Sequence, residues 1–119
     1  MKRILIVEDV EWNRDLLTQI LEDQYEVLEA TDGKQGLEKA KAEKPDLILM
    51  DMLLPEMNGM EVASAIRESE GIADVPIIAV TAQAMSGDRE QALAAGCNDY
   101  VSKPIDEDVL LEKIAKILK

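Results

Sequence analysis

Short apolar runs recur along the chain, and several end abruptly in acidic or turn residues. "ILIV" at 4–7 runs straight into Glu8 and Asp9, and "LILM" at 47–50 runs straight into Asp51. Further runs occupy 27–30 and 77–80, with a weaker one at 99–102. Their length and their richness in branched residues predict strands. Between them the apolar spacing becomes helical. Leu16, Leu17, Ile20 and Leu21 share one face, Leu37 and Ala40 mark a second helix, and Val62, Ala63 and Ile66 mark a third. A fourth helix over 87–95 is rich in alanine and weakly apolar, with Gly96 placed to cap it. The last helix aligns Val109, Leu110, Ile114, Ile117 and Leu118 on one stripe. Pro45, Pro76 and Pro104 punctuate the entries to strands and helices.

Strands alternating with helices predict right-handed crossovers and a parallel sheet covered on both faces. Runs as apolar as "ILIV" and "LILM" suit its central strands. Five βα units fit an α/β fold with an open, doubly wound, five-stranded parallel sheet of order 2-1-3-4-5, flavodoxin-like, and fall short of an eight-unit barrel. The 119 residues are read as a single domain, 1–119, without linker, repeat or low-complexity stretch.

Such sheets gather their function at the carboxyl ends of the strands, where strand order reverses. Glu8 and Asp9 follow the first strand, Asp51 the third, Thr81 the fourth and Lys103 the fifth. Each has an ordinary explanation when taken alone. Asp9 fits a helix cap, Glu8 a solvated turn, Thr81 a β-former at a strand end, and Lys103 a surface cation. Their convergence on one end of the sheet does not. Three carboxylates in one place repel one another, and a hard divalent cation would keep all three ionised. The chain has no histidine, which removes the commonest transition-metal ligand and general base. Oxygen ligands alone favour Mg²⁺, with Mn²⁺ or Ca²⁺ as alternatives. Mg²⁺ shares its shell with phosphate oxygens, so a phosphoryl group is the expected third party.

Charge and composition narrow the partners. A net charge of −12 opposes direct binding to nucleic-acid backbones, which need clustered Lys and Arg. The longest apolar runs stop far short of the ~20 residues of a membrane span. The segment behind Lys2 and Arg3 is too short for a signal peptide. One cysteine, Cys97, cannot form an internal disulfide, so a cytoplasmic setting is expected, with Cys97 a small buried hydrophobe. Trp12, the one tryptophan, begins the first helix beside the acids, where it would cover the helix start or touch a partner at the site's rim. Lys113, Lys116 and Lys119 suit the last turns of a helix.

At these residues the chain resembles the receiver domain of two-component response regulators. The matching stretches are "ILIVEDVEWNRDLL", "KPDLILMDMLLPEMNGMEV", "PIIAVTAQAMSGD" and "AGCNDYVSKPI", covering essentially the whole chain. The resemblance implies the same strand order and a phosphorylation-activated switch. Asp51 would take a phosphoryl group from the phosphohistidine of a sensor histidine kinase or a histidine phosphotransfer protein. Asp9, Asp51 and the Leu53 carbonyl would bind Mg²⁺, with Glu8 acting through a metal-bound water. Lys103 would pair with phosphoryl oxygens, beside a Lys103–Pro104 peptide that is typically cis. Thr81 would move toward the phosphoryl group and Tyr100 would turn inward, altering the surface of the fourth helix, fifth strand and fifth helix that meets a downstream protein. Small Ala82 leaves room for the group, and Gly59 permits tight packing or positive φ beside Asp51.

The expected product is a regulator, monomeric or weakly dimeric, that assists its own phosphorylation and dephosphorylation. Three competing classes fit less well. Mg²⁺-dependent aspartyl-phosphate phosphatases and phosphotransferases place a second acid two residues after the nucleophile, where this chain has Leu53. A flavin carrier needs a phosphate loop rich in Ser, Thr and Gly, which "EDVEWNRD" would oppose. A receiver-like module that is never phosphorylated has no need of Asp51, Thr81 and Lys103 together. A receiver excised from a hybrid histidine kinase would read the same, and "NRDLL" resembles receivers of hybrid kinases and phosphorelays.

Overall fold

A computed structural model describes residues 1–52, 54, 57–81 and 88–118, with the backbone alone at 88 and 89. The five strands are β1 (Arg3–Val7), β2 (Glu26–Ala30), β3 (Leu47–Asp51), β4 (Ile77–Thr81) and β5 (Asp99–Ser102). The helices that alternate with them are α1 (Glu11–Leu21), α2 (Gly33–Glu43), α3 (Gly59–Arg67), α4 (Asp88–Ala94) and α5 (Glu107–Leu118). All strand pairs are parallel, in the order β2-β1-β3-β4-β5. The expected fold is the observed one, with strand boundaries moved by a residue at most.

Alternation along each strand sorts the core into two layers. Leu5, Val7, Ile48, Met50, Ile77 and Ala79 face α2, α3 and α4. Ile4, Ile6, Leu47, Leu49, Ile78 and Val80 face α1 and α5. β1, β3 and β4 are buried along nearly their whole length, which explains their unbroken apolar runs. β2 and β5 form the edges and are only partly buried.

Helix starts differ in a way that matters near the site. Asp32 and Asn58 cap α2 and α3, their side-chain oxygens accepting from Gln35 N and Glu61 N. α1 has Val10 at its cap and no side-chain cap bond, so Asp9 is not the cap that its position suggests. Gly59 opens α3 where an added Cβ would lie 2.4 Å from the Asp51 carbonyl oxygen. Close approach, not positive φ, is therefore what this glycine permits. Gly96 has φ +113° just past α4, as the cap at that position requires.

Candidate functional site

The topology brings the predicted acids together. β1 and β3 are neighbours at the centre of the sheet, so the residues leaving their carboxyl ends meet. One carboxylate oxygen from each of Glu8, Asp9 and Asp51 lies within 4.8 Å of the others. Burial separates their roles. Glu8 is 1% exposed and Asp51 4%, whereas Asp9 stands at the solvent side. The Lys103–Pro104 peptide is cis, and Lys103 N donates to the Thr81 carbonyl at 2.7 Å.

Lys103 reaches into the cluster from the end of β5. Its Nζ donates to Glu8 Oε1 at 2.9 Å and to Asp51 Oδ2 at 3.5 Å. Burial works against the ammonium, but the hydrogen bond to Glu8 and the charges of Asp51 and Glu8 prevail and raise its pKa above the ordinary lysine value. Loss of water, together with the hydrogen bond and charge of Glu8, pushes the Asp9 carboxyl above its ordinary value, against the pull of Lys103. Desolvation is the larger cause, and the charge of Glu8 adds the repulsion expected of crowded acids.

A metal ion would answer this imbalance. The donor set is oxygen only, compact and open on the Asp9 side, so it fits a hard divalent cation. Leu53, expected to offer its carbonyl, and Ala82 lie outside the described residues. Thr81 ends β4 one residue beyond Val80, the register partner of Asp51, and is buried. Tyr100 lies on β5 opposite Ala79, half-buried against the α2–α3–α4 layer.

Three features escape sequence reasoning. Glu8, which on its own suggests a solvated turn, is among the most buried charged groups described, and its partner is Lys103. Lys113 does not merely complement a helix end. It donates to Asp99 Oδ1 and to the Tyr100 carbonyl, each at 2.9 Å, and sits 5.4 Å from the Tyr100 ring centroid. Arg67 draws two loops onto the end of α3. Lys113 lies fourteen residues from Asp99, and Arg67 29 from Gly96, separations that local patterns do not reveal. Trp12 is 71% exposed and lines a cleft of about 370 Å³ with Leu16, Lys103, Pro104 and Ile105 beside the acids.

This fold and this site define a receiver domain. The model of the response regulator receiver domain family matches residues 4–115, and the chain belongs to that family. It is a signalling switch of two-component systems, homologous to single-domain regulators. The polar-differentiation response regulator DivK of Brucella anthropi is 41% identical over 118 residues, spanning 98% of this chain and 96% of that protein. Its counterpart in Brucella ovis is 42% identical over the same shares. The receiver domain of the sensor histidine kinase PA1611 from Pseudomonas aeruginosa, solved with a magnesium ion coordinated in the active site cleft, superposes with a TM-score of 0.91. It is 38% identical, with 98% of this chain and 97% of that one covered. The chemotaxis protein CheY4 of Vibrio cholerae superposes with a TM-score of 0.93 at 29% identity, covering 99% of both chains. Among the described residues no helix is long and apolar enough to cross a membrane.

Proposed function

We propose that Asp51 is the phosphoacceptor of this switch. The observation that carries the proposal is a buried carboxylate at the end of β3, within 4.8 Å of two further acids and 3.5 Å from Lys103. A carboxylate oxygen of Asp51 would attack the phosphorus of a partner's phosphohistidine. The P–N bond breaks, its electron pair stays on the imidazole nitrogen, and that nitrogen takes a proton from solvent. Asp9, Asp51 and the Leu53 carbonyl would hold Mg²⁺, with Glu8 acting through a bound water. Bound there, Mg²⁺ supplies positive charge against the phosphoryl oxygens. Lys103 supplies a second positive charge, already aimed at Asp51 Oδ2. The Thr81 hydroxyl is the hydrogen-bond donor, and its movement would release space for Tyr100 on the α4–β5–α5 face.

In this reading the whole chain, 1–119, acts as one cytoplasmic receiver, monomeric or weakly dimeric, that assists its own phosphorylation and hydrolysis and releases no metabolic product. A histidine kinase or a histidine phosphotransfer protein supplies the phosphoryl group, and a downstream protein reads the α4–β5–α5 face. Likeness to a receiver that belongs to a sensor kinase supports a second reading, in which these residues are the receiver of a hybrid kinase. Incubation with phosphoramidate and Mg²⁺, followed by intact mass, tests the proposal. One phosphoryl adduct is expected, abolished by EDTA and by Asp51→Asn. An adduct on Asp51→Asn at the wild-type level would end it.

A further inference from the structure

Arg67, the last residue of α3, spends its guanidinium on two connections at the far end of the sheet from the acids. Towards the α3–β4 connection it donates to the Ala73 carbonyl at 2.9 Å and the Val75 carbonyl at 2.6 Å. Towards the α4–β5 connection it donates to the Gly96 carbonyl and to Asn98 Oδ1, each at 2.9 Å. Asn98 in turn brackets Ile77, the first residue of β4. Its N–H donates to the Ile77 carbonyl at 2.7 Å, and its Oδ1 accepts from Ile77 N at 2.9 Å. The chain passes tightly over the arginine stem, since a Cβ on Gly96 would sit 2.7 Å from Arg67 Cγ.

Apolar burial alone does not hold α4 down at this end. From 90 to 94 only Ala92 is buried, and Glu90, Gln91, Leu93 and Ala94 are exposed. Beyond it, Cys97 N donates to the Ala92 carbonyl, and Gly96 then meets Arg67. β4 and β5 therefore run between two different ends. Thr81 and Ser102, paired in register, lie at the end that carries Lys103 and the acids. Ile77 and Asn98 lie at the end tied to Arg67.

We propose that Arg67 and Asn98 form the fixed pivot of the switch. They anchor the C-terminal end of α4 and the entry to β5, so that a change at the acidic cluster is expressed before Ala92 and is not passed on to residues 95–98. Arg67 is here a positioning residue. It is remote from the chemistry, and the inference rests on family membership as a switch, not on which carboxylate takes the phosphoryl group. A lysine at 67 keeps the charge but has three donors on a single nitrogen in place of the planar fork, so it cannot span both connections.

The chain's one cysteine reports on the pivot directly, because Cys97 is buried between Gly96 and Asn98. The full chain is labelled with iodoacetamide and followed by intact mass, with and without Mg²⁺ and beryllofluoride, a phosphoryl analogue. Amide exchange is recorded in parallel. For the wild type the expected labelling rate changes less than twofold with the analogue, while exchange at 88–92 changes. Arg67→Lys is expected to label at least tenfold faster even without the analogue, with cooperative melting retained. Asn98→Ala serves as a second variant should Arg67→Lys fail to fold, and is expected to label faster than wild type. Wild-type labelling that shifts more than fivefold with the analogue would overturn the pivot. So would Arg67→Lys labelling within twofold of wild type. The variant arm needs no phosphoryl analogue, so it stands even if Asp51 is not the acceptor.

Discussion

Gly59→Ala couples the packing of α3 to the geometry of Asp51. The new Cβ would lie 2.4 Å from the Asp51 carbonyl oxygen, 2.8 Å from Met52 Cα and 2.5 Å from Met52 Cε. The Met52 methyl can swing aside. The two backbone atoms cannot, because Met52 N is bonded to the Val80 carbonyl at 3.0 Å and Gly59 N to the Met52 carbonyl at 3.2 Å. Either α3 lifts or the end of β3 shifts, and overpacking of this kind costs about 1–3 kcal/mol. The upper end applies, since the clash is with main chain. Alanine returns up to about 1 kcal/mol through its helix propensity, leaving a net loss of about 2 kcal/mol. Unfolding entropy of about 2.1 cal/mol/K per residue over 119 residues comes to about 0.25 kcal/mol/K, so Tm should fall by about 8 °C. Thermal melting in the absence of Mg²⁺ measures this, and phosphoramidate labelling read alongside should slow by at least tenfold. A variant that melts within 2 °C of wild type, or above it, would refute the argument that this glycine exists for close approach.

Further expectations follow from the same structure. Val10 caps α1 without a side-chain acceptor, so Val10→Asn should raise stability by about 0.5–1 kcal/mol, read as a higher urea midpoint. Asn58→Ala, which deletes the 2.9 Å bond to Glu61 N, should lower it by about 1 kcal/mol. Burial outweighs the nearby Arg67 charge and pushes the Cys97 thiol up to about 11. Because the thiolate is the reactive form, alkylation at pH 8 should run more than about a hundredfold below that of an unfolded thiol, whose pKa is about 8.5, and climb about tenfold per pH unit toward pH 10. The folded value lies above the unfolded one, so this contribution to stability is whole below about pH 8.5 and is lost as pH rises toward 11. A urea midpoint that falls between pH 7.5 and 10 in wild type but less in Cys97→Ala would bear this out. Trp12, exposed on the cleft beside Glu8 and Lys103, should report Mg²⁺ by fluorescence, and Asp9→Asn should weaken the apparent affinity at least tenfold. Equal affinities would rule out a direct Asp9 ligand.

How much of this was legible depended on the range of each interaction. Strands β1, β3 and β4 announced themselves because burial on both faces demands unbroken apolar runs, and each run stopped where a candidate site residue began. The convergence of Glu8, Asp9 and Asp51 followed from topology once β1 and β3 were neighbours. The depth of Glu8 was hidden, since a glutamate after a strand is ordinarily solvated, and its burial is made tolerable by the tertiary pairing with Lys103 together with the Val10 N–H on its other oxygen. Arg67 and Lys113 were hidden for the same reason. Each is a helical cation whose partners lie on other elements, and helical periodicity cannot distinguish it from a solvated neighbour. Val10 in the cap position of α1 runs against cap preference.

The central claim is that Asp51 receives the phosphoryl group, and the chemistry of an acyl phosphate allows the position to be read directly. After phosphoramidate and Mg²⁺, borohydride reduction converts a phosphorylated aspartate to homoserine, and peptide mass spectrometry locates it. The account predicts homoserine at position 51, dependent on Mg²⁺ and absent in Asp51→Asn. Homoserine at position 9, or at neither aspartate when an intact-mass adduct is present, would contradict it.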